Sequence, residues 1–116
     1  MKKFLAIYTG TPNSMPRWDA LTEPEKKIRL AEGIAAWHAW VEQHKASIVD
    51  TGTPLGKTKN VSASGIDDIR NNMTAYTIVQ AESHEAAAKF FENHPHFTIF
   101  PGDSVEIMEC LPLPSA

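Results

Sequence analysis

A single cysteine, Cys110, excludes an internal disulfide, so packing alone must hold this chain together, as it does in proteins of reducing compartments. Long apolar runs are missing too. The N-terminal Met1-Lys2-Lys3 leads into an apolar stretch that Gly10 and Pro12 end, shorter than a signal peptide or the about 20 residues of a membrane span requires. Cytoplasmic residence away from membranes is the expectation. A surplus of one charge is also lacking: the formal net charge is -3, which leaves no footprint for a nucleic-acid backbone or an anionic bilayer. The sequence has no Gly-x-Ser-x-Gly elbow, Cys-x-x-Cys pair or dinucleotide fingerprint. Gly52-Thr53-Pro54-Leu55-Gly56-Lys57-Thr58 imitates a phosphate loop, but it has three residues between its glycines where that loop has four. Pro54 also removes an amide that the loop would need. No cofactor is expected.

What is present suits one α+β domain over residues 1–116, with 42% hydrophobic residues for a core. Phe4 to Tyr8 is apolar at every position and reads as a central strand. Thr22 with Glu25 makes a capping box, Pro24 sits in the first turn, and a helix runs from there to about His44. Leu30, Ile34, Trp37 and Val41 form its apolar stripe. Residues 47–51 read as a short strand. Lys57 to Ser64 reads as an edge strand or hairpin arm, and Gly65 to Asn72 as a loop. A second unit follows: a strand over 75–80, a Ser83-capped helix stopped at Asn93-His94-Pro95, an aromatic turn over 97–100, and a last strand over 104–108.

Two β-α-β units in series predict a ferredoxin-like β-α-β-β-α-β fold, an antiparallel sheet with both helices on one face. Phe4, Ala6 and Tyr8 alternate with Leu5 and Ile7, so whichever set meets the helices, the other points away. Leaving a large apolar side chain in water forgoes roughly 1.5–3 kcal/mol, and association costs about 4–15 kcal/mol, so several such residues can drive pairing. A homodimer joined through the sheet face is expected, unless segment 57–72 folds over that face.

Gly52-Thr53-Pro54-Leu55 after the second strand, Tyr76 to Ala81 before a Ser-started helix, and His94-Pro95 followed by Gly102 and Val105-Glu106-Ile107 resemble the YCII-related family. With its DGPF-type relatives, that family belongs to the dimeric α+β barrel superfamily, and the resemblance covers nearly the whole chain. It implies a site built from a histidine on the first helix and an aspartate near the loop before the third main strand. Ungapped counting puts Ala35 at the histidine position and Ala63-Ser64-Gly65-Ile66 at the DGPF stretch; His38 lies one turn on, and Asp67 and Asp68 lie just after.

Five histidines are the main source of proton chemistry. His38 borders the stripe about 40° from its axis, by helical geometry of 100° per residue, and reads as a boundary histidine or a cleft acid or base. His94 and His96 flank Pro95 and are further catalytic candidates; with no third close ligand, they predict no metal site. Parallel first and second strands would gather Thr9–Pro12, Thr51–Pro54 and His94–His96 at one end. Thr11, Arg17, Trp18, Asp19 and Thr53 there suit a small polar or aromatic ligand, although repeated Thr-Gly-Thr-Pro is also ordinary turn chemistry. Cys110 reads as a small core filler, and Trp37 and Trp40 as core or interface. Two functions are open: a cofactor-free lyase, isomerase or oxidation enzyme using cleft histidines, and a non-catalytic ligand-binding or interaction module on the same scaffold.

Overall fold

The first strand, β1 (Lys2–Thr9), settles which of its faces meets the helices: Phe4, Ala6 and Tyr8 are fully buried, while Leu5 and Ile7 are only half-buried. A computed structural model describes residues 1–115. β1 pairs antiparallel with β5 (Met73–Ala81) on one side and β6 (Ser104–Glu109) on the other, and the short β2 (Ile48–Asp50) completes the sheet beyond β5, giving the order β2-β5-β1-β6. Because directly opposed residues share a face, Phe4–Val79, Ala6–Thr77 and Ala6–Ile107 build the core side. Leu5–Ile78, Leu5–Met108 and Ile7–Tyr76 line the open side. This is the ferredoxin-like α+β arrangement.

α2 (Glu23–Gln43) starts at the Thr22–Glu25 capping box, with both reciprocal hydrogen bonds formed and Pro24 in the first turn. Its buried line is not the expected one. Gly33 and Trp40 are the buried residues of α2, whereas Leu30 and Ile34 are 48% and 46% exposed. The cause lies across the chain. The ring of Phe100 lies so close to Gly33 that a Cβ there would overlap it, and the Trp40 indole N–H donates to the Phe90 carbonyl at 2.7 Å. A glycine thus takes the centre of the packing face, and the large aliphatic residues fall to its flank.

The second half differs in detail from expectation. The Ser83-capped α3 (His84–Lys89) ends early, Asn93 takes a left-handed φ of 58°, and a short α4 (Pro95–Thr98) replaces the aromatic turn. His94 caps α4, its Nδ1 accepting the His96 backbone N–H at 3.0 Å. Cys110 is exposed just past β6 rather than filling the core. Trp37 and Trp40 both pack into the core cluster.

Residues 65–69 are a strand, not a loop. β3 (Thr58–Ser62) and β4 (Gly65–Ile69) form a two-stranded hairpin that, among the described residues, pairs with no other strand, and only Thr58 of its strand residues is even half-buried. It is no lid on the sheet. The radius of gyration is 16.3 Å, against about 13 Å for a compact chain of this length, in keeping with a hairpin and a segment past β6 that both stand off the body.

Candidate functional site

β2 stops after three residues, and the chain then leaves the sheet edge. Asp50 accepts the Gly52 N–H at 2.9 Å, Gly52 turns at φ 72°, and its missing side chain lets the loop press against the Tyr76 carbonyl. Thr53 and Pro54 follow, held by the Pro54–Ala75 bridge and by Leu55 N–H donating to the Thr74 carbonyl at 2.8 Å. Between this loop and the flank of α2 opens a pocket of about 680 Å³. Ile34, Trp37, His38, Val41 and Glu42 supply the helix wall, Thr51 to Pro54 the loop wall, and Ala75, Tyr76 and Phe100 the remainder. Ile34, one of the aliphatic residues displaced from the core by Gly33, is therefore part of the cavity wall.

Apolar and aromatic surfaces with a few convergent polar groups are the general chemistry of small-molecule sites. Here the polar groups are the His38 imidazole, the Glu42 carboxylate one helical turn on, and the threonines of the loop. His38 is exposed, so a proton can pass between its ring and a ligand or solvent.

His94 and His96 lie elsewhere. His94 is fully buried among Trp37, Trp40, Tyr8 and Phe91, with ring centroids 4.5 Å from Trp37 and 4.7 Å from Trp40. Since its Nδ1 accepts a hydrogen bond, its proton sits on Nε2, which has no oxygen or nitrogen partner among the described residues and lies amid aromatic rings. Burial, with smaller contributions from His96 and His44, holds its pKa down to about 3, so the ring is neutral. His96 Nε2 donates to the Thr9 carbonyl at 2.7 Å, and burial lowers its pKa as well. Gly102 packs directly on its ring. Both histidines tie α4 to the sheet.

Of the other residues singled out from sequence, Thr53 lines the pocket with His38. Arg17 and Trp18, on α1 (Met15–Asp19), line a separate cleft of about 70 Å³ with Arg29, and Phe100 forms part of both walls. Thr11 Oγ1 accepts the Asn13 N–H, and hydrogen bonds from Thr11 and Ser14 hold the Asp103 carboxyl below its usual range. Asp19 is exposed at the end of α1. Asp67 and Asp68 sit on β4, away from His38, with Asp68 paired to Lys59 at 2.7 Å. Sequence reasoning missed Glu42, Tyr76 and Phe100. Glu42 alone carried a local signal, its four-residue spacing from His38 on one helix.

No family model matches the sequence, and neither does any curated protein. Among solved structures, the chain is similar to 5-chloro-2-hydroxyhydroquinone dehydrochlorinase from Burkholderia phenoliruptrix, solved in complex with 2,5-dihydroxybenzoquinone. The two are 22% identical over 91% of this chain and 90% of that one, with a TM-score of 0.54. A likeness at this identity shows a common α+β fold. No helix is long and apolar enough to cross a membrane, among the described residues.

Proposed function

We propose that residues 1–116 form one YCII-related domain working in the cytoplasm as a homodimer. In this reading it is a cofactor-free enzyme acting on a small hydroxylated aromatic compound. The observation that carries the proposal is His38 at the wall of a pocket whose other surfaces include the aromatic rings of Trp37 and Phe100. Aromatic faces hold a ring by stacking, and threonine hydroxyls at 51 and 53 orient its oxygen substituents. His38 then takes a proton from an acidic O–H or C–H of the substrate. The imidazolium returns it to another carbon in an isomerisation, or to the leaving group in an elimination; oxidation of the same anion would use dioxygen as electron acceptor. The dehydrochlorinase with the same fold, held with a dihydroxylated quinone, supports a ring of this chemical class. The face bearing Leu5, Ile7, Tyr76 and Ile78 supports sheet-to-sheet pairing.

A second reading, a binding module without turnover, draws support from the burial of His94 and His96, which leaves His38 as the pocket's sole histidine. Arg17, Trp18, Asp19 and Thr11 would then act beside the pocket rather than in it. Mass spectrometry of the purified protein, followed by turnover and binding assays on hydroxylated quinols, separates the two. In the enzyme, His38→Gln lowers kcat/KM by about 10²–10⁴ while ligand affinity stays within a few-fold. Tight ligand binding with no turnover in the unaltered protein establishes the binding module instead.

A further inference from the structure

The hairpin of β3 and β4 takes no part in the pocket around His38, and its construction is that of a rigid arm. Its base is pinned: Asn71 Nδ2 donates to Thr58 Oγ1 across the two strands, Asn71 Oδ1 accepts the Met73 N–H, and Gly10 N–H donates to the Asn72 carbonyl. The arm therefore leaves the body at a fixed angle. On one of its faces Val61 and Ile66 stand directly opposite one another, 74% and 68% exposed, with the Lys59–Asp68 ion pair behind them. That face is apolar at the tip and already neutralised at the base. Burying it strands no charge.

We propose that this arm seats on a second copy of the chain, with Val61 and Ile66 as its buried contacts. The inference rests on the sheet-to-sheet dimer proposed above and extends it. Area is the argument for a second copy. At ~4.8 Å between strands and ~3.3 Å per residue, the four-stranded sheet offers about 400 Å² per copy, or about 800 Å² over two. Specific, stable interfaces bury about 1,200–2,000 Å². The sheets alone fall short. One face of the arm covers about 160 Å² by the same spacings, and counting both arms with the patches beneath them adds about 600 Å². This closes the gap. An isolated two-stranded hairpin is at best marginally stable in water, so a partner surface also accounts for an arm this well formed.

Sedimentation velocity on the full chain tests the proposal. The unaltered protein is expected to be dimeric at micromolar concentration. Val61→Lys with Ile66→Lys should raise the dimer dissociation constant about a hundredfold or more with an unchanged circular dichroism spectrum. Met108→Lys, on the open sheet face, should weaken the dimer independently. A dimer weakened by Met108→Lys but untouched by the arm variant overturns the arm and leaves the sheet pairing standing. An unaltered chain that stays monomeric removes both. Should the arm variant misfold, hydrogen exchange on the unaltered protein decides: amides 58–69 slow at dimer-forming concentration if the arm is seated, and equal rates at dilute and concentrated protein overturn it.

Discussion

The phenol oxygen of Tyr8 lies 3.0 Å from Thr77 Oγ1, with both residues buried in the core. Thr77 Oγ1 in turn donates to the Thr51 carbonyl at 3.0 Å, so its one hydrogen is used and Tyr8 must be the donor of the pair. A polar chain thus runs from the centre of the core to the loop that walls the pocket. Burial pushes the Tyr8 phenol up to about 12, which keeps it a donor at any physiological pH.

The order of donors predicts unequal costs. Tyr8→Phe removes one hydrogen bond and should lower stability by about 1 kcal/mol. Thr77→Val leaves both the Tyr8 hydroxyl and the Thr51 carbonyl unmatched and should cost about 2–3 kcal/mol. Urea denaturation of the two variants ranks them; equal losses would contradict the donor assignment.

Acid should weaken the fold at mild pH. With its folded pKa held at about 3, His94 stays neutral where the unfolded chain, with a pKa near 6.5, already binds a proton. The unfolded state therefore binds more protons, and stability falls as pH drops from about 6.5 towards about 3, by up to about 1.4 kcal/mol per pH unit. His96, also shifted down, adds in the same direction. His94→Phe should flatten this slope by one proton while losing the cap on α4. Unfolding midpoints between pH 7.5 and 5 give the slope directly, and a flat profile in the unaltered protein would contradict the buried neutral ring.

Gly33→Ala should destabilise the chain although alanine is the better helix former. The propensity gain is about 1 kcal/mol, and overpacking against Phe100 costs about 1–3 kcal/mol. Because Phe100 divides the pocket from the Arg17 cleft, its displacement should also alter ligand affinity and Trp37 fluorescence. A rise in thermal midpoint would mean that the ring yields freely.

Gly52→Ala combines a left-handed φ with overlap on the Tyr76 carbonyl, and a loss of about 3 kcal/mol is expected by chemical denaturation. The pocket loop should detach first, seen as faster amide exchange at Thr53 and Leu55. A loss no larger than that of an exposed loop alanine would show that the contact is unimportant.

Local chemistry made much of the fold legible. The Thr22–Glu25 box starts α2 where its hydrogen-bond logic requires, and the alternation in β1 separates a core face from an open one. The rotation of α2 was hidden, because a glycine carries no hydrophobic signal and its partner Phe100 comes from the far end of the chain. β4 was hidden by its polarity: Asp67 and Asp68 read as loop because the projecting hairpin buries no face within its own chain. At the site, helical spacing brings His38 beside Ile34 and Val41. The wall at Tyr76 depends on a loop geometry set by Gly52, and the wall at Phe100 on its packing over Gly33; local pattern encodes neither.

The proline that bridges to Ala75 has a bearing on solubility. It occupies the outer rim of the sheet where β2 has already ended, and a proline offers no amide hydrogen to an incoming strand. An extended peptide from another molecule would meet three residues of ladder and then a break, too little to template further strand addition. The same interruption that makes room for the cavity blunts that rim against fibril growth.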